Sequence, residues 1–232
     1  MSFDRLAPHY RWTEWLLAGR KLQRCRTAFL RSIPMPRHAL LLGEGNGRFL
    51  IEFLRAWPGV RVTCVEGSRR MIDCARSRVR KSSLSDGDVE FVHADILDWS
   101  APSQKFDLIV SHFFLDCFRP EQLEDIVHQV AATAAPGGRW LLADFREPPT
   151  GLARWRARLI LWAMYLFFQR AVGLPATKLT APDDLLIRHG FVLHERRLSD
   201  WGLLHTDLWV DADILRANSG PARRNLHKPT QD

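Results

Sequence analysis

The sequence predicts an α/β protein built on a mostly parallel sheet, and three observations carry that expectation. Between residues 38 and 145, five short apolar runs alternate with segments of helical spacing. A glycine-rich turn follows the first run, and acidic residues stand just past the second and third. Near the C-terminus, two further runs follow one another with no helix between them, the pattern of an antiparallel hairpin at a sheet edge. With 232 residues, 46% apolar and 25% charged, the chain fits one domain with additions.

Taken in order, His38–Leu42 is the first strand, closed by the glycine-rich turn. Arg48–Trp57 has helical apolar spacing at Phe49, Phe53 and Leu54 and is stopped by Pro58 and Gly59. Val60–Val65 reads as a strand, Arg69–Lys81 as a helix, and Val89–Val92 and Phe106–Val110 as strands. Glu121–Ala134 is a helix opened by Pro120 and closed by Pro136-Gly137-Gly138, and Trp140–Phe145 is the fifth strand. Parallel strands linked this way require helices on both faces of the sheet. A long apolar helix is expected over Leu152–Ala171, another from Pro182 to Gly190, and strands over Phe191–Leu198 and His205–Val210.

Charge divides the chain. The net charge of +7 is made of a basic segment before residue 38, a slightly acidic middle, a helix at 151–172 with four arginines and no acid, and a basic tail from Arg216. Trp12, Trp15, Trp155, Trp162, Trp201 and Trp209 also lie outside the middle. Two readings of these appendages stay open: solvated helix faces, or a basic aromatic surface that meets an anionic or lipidic partner. The four cysteines form no C-x-x-C pair, which argues against a zinc site or a disulfide scaffold and for a reducing compartment. The N-terminus has no continuous apolar run of the signal-peptide kind, and the longest uncharged apolar run, Leu159–Phe168, is about half of what a spanning helix needs. A cytosolic protein is expected, with peripheral membrane contact left open.

The chemistry concentrates at the strand ends. Gly43-Glu44-Gly45-Asn46-Gly47 is a G-x-G-x-G turn that lets the backbone approach a ligand closely. Its third glycine comes one residue earlier than the dinucleotide fingerprint requires, so a cofactor without a pyrophosphate is favoured over NAD or FAD. Glu66-Gly67-Ser68 follows the second strand, with the Glu66 carboxylate placed to accept from two ribose hydroxyls. Ala94-Asp95-Ile96 follows the third and offers a carboxylate for an amino group such as adenine N6, and Ser111-His112 follows the fourth.

Together these motifs resemble the class I S-adenosylmethionine-dependent methyltransferases across residues 38–145, including the Pro136-Gly137-Gly138 turn. Phe3-Asp4-Arg5-Leu6-Ala7-Pro8-His9-Tyr10 is similar to the N-terminal motif of the menaquinone/ubiquinone C-methyltransferase group. The resemblance implies a Rossmann-like seven-stranded sheet, mostly parallel with an antiparallel edge hairpin, plus an N-terminal helical arm and a helical lid. It divides a single domain into arm (1–37), cofactor core (38–150), lid (151–180), sheet completion (181–215) and a disordered tail (216–232). It also implies S-adenosylmethionine held by Tyr10, Gly43, Glu44, Gly45, Asn46, Gly47, Glu66, Gly67, Ser68, Met71, Ala94, Asp95, Ile96, Ser111 and His112. Most members carry an acid two residues before the first glycine, where this chain has Leu41, and the Leu-Pro-Phe segment that commonly follows the adenine-binding acid is replaced by Leu97-Asp98-Trp99.

Methyl transfer from a sulfonium is an in-line displacement with a neutral leaving group, so it needs alignment and no metal. A phenol or enol acceptor also gains from a base. His112 is the best-placed base, a packing or hydrogen-bonding role beside the cofactor being the alternative; Asp116 at i+4 is placed to orient it or to serve as a helix-terminus acid, and His205, Asp144 and Tyr10 are weaker candidates. The helix at 152–171 is expected to close with the N-terminal arm over a small, apolar or aromatic acceptor, the alternatives being a core helix, a homodimer interface or insertion at a membrane surface. Methylation of a nucleic-acid base is disfavoured, because Ser111-His112-Phe113-Phe114 stands where base methyltransferases carry an Asn/Asp-Pro-Pro-aromatic motif. Methylation of another macromolecular position and ligand binding without catalysis stay open.

Overall fold

The computed structural model describes residues 19–82, 84 and 88–214. In chain order the elements are α1 (Gly19–Thr27), β1 (His38–Leu42), α2 (Arg48–Ala56), β2 (Arg61–Glu66), α3 (Arg69–Lys81), β3 (Val89–His93) and β4 (Phe106–His112). A 3₁₀ turn (Leu115–Cys117) leads to α4 (Pro120–Ala131), β5 (Ala134–Phe145), α5 (Gly151–Val172), α6 (Asp183–Arg188), β6 (Phe191–Ser199) and β7 (Leu204–Asp211). The strands form one seven-stranded sheet in the order β3-β2-β1-β4-β5-β7-β6. The five strands from β1 to β5 run parallel, and β7 pairs antiparallel with both β5 and β6.

The sheet is covered on both faces because its strands are apolar on both. Along β1, Ala39 and Leu41 enter the core under α2 and α3 with Phe49, Phe53, Val62, Val79 and Val110. Leu40 and Leu42 enter the opposite core under α4 and α6 with Ile109, Leu123, Ile126, Trp140, Leu142 and Leu186. β7 lies inside the sheet and β6 at its edge because β7 is buried along nearly its whole length, whereas His194-Glu195-Arg196-Arg197 gives β6 a charged run suited to an unpaired edge. Chain order reverses on either side of β1, between β2 and β4, which opens a crevice at the carboxyl ends of the strands.

Three expectations are corrected. β5 begins at Ala134, so Pro136-Gly137-Gly138 lies within an irregular start of the strand and α4 ends earlier, at Ala131. β4 runs on to His112, two residues further than its apolar run. Finally, α5 is not the core helix that is one of the alternatives, since Leu152, Trp155, Leu159 and Trp162 stay exposed. It buries Ala157, Leu161, Met164 and Tyr165, which meet Leu22 and Cys25 of α1 and Leu203 and Leu204 over the end of β5. The arm residues before Gly19, Tyr10 among them, and the tail after Ile214 lie outside the described residues.

Gly43, Gly45 and Gly47 all have positive φ, but they serve different ends. A Cβ on Gly47 would stand 2.8 Å from the Cα of Ala75 in α3, so this glycine sets the approach of α2 to α3. Gly47→Ala is expected to destabilise the fold by about 1–3 kcal/mol, through left-handed strain and overpacking, seen as a lower urea midpoint with an unchanged m value.

Candidate active site

A cavity of about 340 Å³ opens at the carboxyl ends of β1 to β4. Gly43, Gly45, Val65, Glu66, Gly67 and Met71 form one wall, and Ala94, Asp95, Ile96 and Leu97 form a second. Phe113, Phe114, Cys117, Phe118 and Gln122 line the rest, with Phe114 against Gly43, and Gly173 and Pro175, just after α5, reach its rim.

Glu66 is the most strongly prepared group in it. Its Oε2 accepts from the Gly45 backbone N–H at 2.9 Å and its Oε1 from the Ser68 N–H at 2.9 Å. Burial pushes the carboxyl up from its usual value, while the Ser68, Gly45 and Gly67 N–H groups pull it back. An ionised carboxylate has about four acceptor sites, so capacity remains for a donor on a ligand. A Cβ on Gly45 would meet nothing within 4 Å among the described residues, which marks the open side of the turn. On Gly43 it would lie 2.2 Å from the Phe114 ring, so that glycine makes room for the aromatic wall.

The cavity thus gathers Gly43, Gly45, Glu66, Gly67, Met71, Ala94, Asp95 and Ile96 of the expected residues. The others do different work. Glu44 turns away and accepts the Phe49 and Leu50 N–H groups with Oε1 at 3.1 and 2.9 Å, capping α2 where Gly47 has no side chain to do so. Burial raises its carboxyl to about 7, opposed by the two N–H bonds and by Arg26 of α1. The carbonyl of Asn46 accepts from Arg78 Nε at 3.0 Å. Ser68 caps α3 by accepting the Met71 N–H at 3.3 Å, and Ser111 Oγ accepts from Trp140 Nε1 at 2.8 Å.

His112 lies outside the lining of the large cavity. Its ring meets Phe49 edge-on, 4.6 Å between centroids, and lines a small recess with Arg26, Leu41, Glu44 and Val110 on the α2 face of the sheet, not the large cavity. Alternation along β4 dictates this, since His112 shares a face with Val110. Burial, with Arg26 nearby, holds the imidazole well below its ordinary value. Asp116 bonds to no histidine among the described residues. It lies beside Asp144: the Asp116 N–H donates to Asp144 Oδ2 at 3.3 Å, and Cys117 Sγ lies 3.6 Å from Asp116 Oδ1. Burial raises the Asp116 carboxyl to about 6, and burial together with Asp116 raises that of Asp144 well above the carboxylate range.

Asp144 also lines a second cavity, of about 290 Å³, with Phe145, Arg146, Thr180 and His205. The two cavities share a wall, because the Phe113 ring of the first packs against the Phe145 ring of the second at 5.3 Å. Phe113 holds a strained left-handed backbone, with φ of 53°, and its N–H donates to the Ala143 carbonyl at 2.7 Å. Spacing alone did not single out Phe113, Phe114, Cys117 and Phe118; their position just after β4 was the available signal.

An open α/β sheet of this order, with a glycine-rich turn after β1 and a buried acid after β2, defines a nucleoside-cofactor fold. Residues 39–138 match the family described as "Methyltransferase domain". The match covers 100 of the 232 residues, across the strands and turns that bear the cavity. The carboxy-S-adenosyl-L-methionine synthase of Aeromonas hydrophila subsp. hydrophila is 29% identical over 159 residues, 66% of this chain and 60% of its own length. The demethylmenaquinone methyltransferase of Thermus thermophilus is 29% identical over 64% of this chain and 66% of its own length. Among solved structures, an O-methyltransferase family protein from Burkholderia thailandensis superposes with a TM-score of 0.66 at 16% identity, over 88% of this chain and 59% of its own, a likeness of fold. The chain thus spans about 60% of the length of the synthase.

Proposed function

We propose that the protein transfers a methyl group from S-adenosylmethionine to a small, largely apolar acceptor that carries an ionisable O–H. The observation that carries this reading is the Glu66 carboxylate, oriented by two backbone N–H groups inside a ligand-sized cavity that Phe113, Phe114 and Phe118 also line. In this reading Glu66 takes the ribose hydroxyls, Asp95 and Ile96 take the adenine edge, and the open side of Gly45 admits the ligand backbone. Bound S-adenosylmethionine would supply an electrophilic methyl for in-line displacement with a neutral leaving group. Phe113, Phe114 and Phe118 exclude water around it. The acceptor body rests against Phe113 and Phe145, and once Asp144 is ionised the proton that the acceptor gives up passes to its carboxylate, which the Asp116 backbone N–H orients.

The test is calorimetry with S-adenosylmethionine, S-adenosylhomocysteine and NAD. Binding of the first two without the third is expected, and binding of NAD alone would overturn the reading. Cys117 gives a second readout. Its thiol, raised by burial, reaches the cavity wall, so saturating S-adenosylhomocysteine is expected to slow alkylation there by about tenfold or more, followed by peptide mass spectrometry.

A further inference from the structure

The 22-residue helix α5 has two unlike long faces. One is buried through Ala157, Leu161, Met164 and Tyr165. The other carries Leu152, Trp155, Leu159 and Trp162 in a stripe at helical spacing, and these side chains are 82%, 72%, 66% and 64% exposed. Contiguous exposed apolar surface of this kind marks an interaction site. Trp201, 71% exposed and held at φ of 61°, extends the patch, since the Arg156 guanidinium lies over its ring at 5.8 Å.

The charge of the helix narrows the occupant. It contains Arg154, Arg156, Arg158 and Arg170 and no acid. Arg154 pairs with Glu147 and Arg156 with Asp200, while Arg158 lies over the Trp155 ring and neither it nor Arg170 has an acidic partner among the described residues. A second copy docked through the same face would bring two basic helices together. Residues 1–18 of this chain hold two acids against two arginines and offer no net negative charge to match.

We infer that this face of α5 docks on an anionic lipid bilayer, with Trp155, Trp162 and Trp201 at the headgroup level and the arginines toward lipid phosphates. Tryptophan suits that interface because its ring is apolar and its N–H can stay wet, and an arginine stem lies along apolar surface while its head stays in water. The same helix ends beside the cavity, where Gly173 and Pro175 line the rim, so docking would bring the rim near a source of apolar acceptors. The inference does not depend on methyl transfer, because binding to lipid is read without cofactor or acceptor.

The experiment is flotation of the full chain with vesicles of phosphatidylcholine, with and without phosphatidylglycerol. Flotation with the anionic vesicles is expected, weakening as salt is raised. Trp155→Ser with Trp162→Ser should lower the partition coefficient about tenfold or more, and Arg158→Gln should lower it about fivefold on anionic vesicles only. Circular dichroism and S-adenosylhomocysteine affinity should not change in these variants. Absence of flotation on either vesicle, or equal flotation of the double-tryptophan variant, would overturn the inference. So would a dimer in sedimentation that the same variant dissociates, which would assign the face to a second copy.

Discussion

Replacing Glu66 with alanine is expected to weaken S-adenosylmethionine binding by about 1.5–3 kcal/mol, roughly ten- to 150-fold, the range for a lost charge-assisted hydrogen bond. The carboxylate already spends one acceptor site on the Gly45 N–H and one on the Ser68 N–H, so the ligand meets a group whose orientation is settled before binding. The substitution also strips both N–H groups of their partner, so circular dichroism must accompany the calorimetry. Glu66→Gln provides the second arm, keeping the shape and one acceptor oxygen while removing the charge, and its loss should be smaller. Unchanged affinity in both variants, with the fold intact, would remove Glu66 from the cofactor site.

Asp144→Asn is expected to lower kcat by about 10²–10⁴, the usual contribution of a positioned base, with little change in cofactor affinity. His112→Ala should change kcat by only a few-fold, since its ring lies in a different recess. The pH dependence separates the roles. A carboxylate base works when ionised, so activity should rise as pH climbs through the region where the buried pair releases its proton, starting near the raised Asp116 value of about 6. Stability should run the other way. A carboxyl whose native value lies above its unfolded one binds its proton more tightly in the folded state, so stability falls as pH rises from about 4 through about 6. Asp144→Asn relieves that cost, so at pH 8 the variant should unfold at a higher urea midpoint than the parent, an exchange of activity for stability. A variant that was fully active, or less stable at pH 8, would contradict the assignment.

The sequence by itself determined the alternation of strands and helices, the turn Gly43–Gly47, and the acids Glu66 and Asp95 at successive strand ends. These features are local. Period-2 burial, glycine at positive φ and a carboxylate just past a strand are all written within a few residues, and a parallel sheet carries every such end to one edge. What the tertiary structure decided is non-local. Whether β7 or β6 is the outer strand depends on which of them finds apolar cover on both faces. Whether Glu44 meets a ligand or caps α2 depends on the one residue, Gly47, that lacks a side chain to cap it. His112 falls on the α2 face because β4 runs two residues further than its apolar run shows, and strand parity then fixes its direction. The pairing of Asp116 with Asp144, 28 residues apart, and the outward turn of Trp155 and Trp162 follow from how β5 and α5 pack against the rest of the chain, which no spacing along it records.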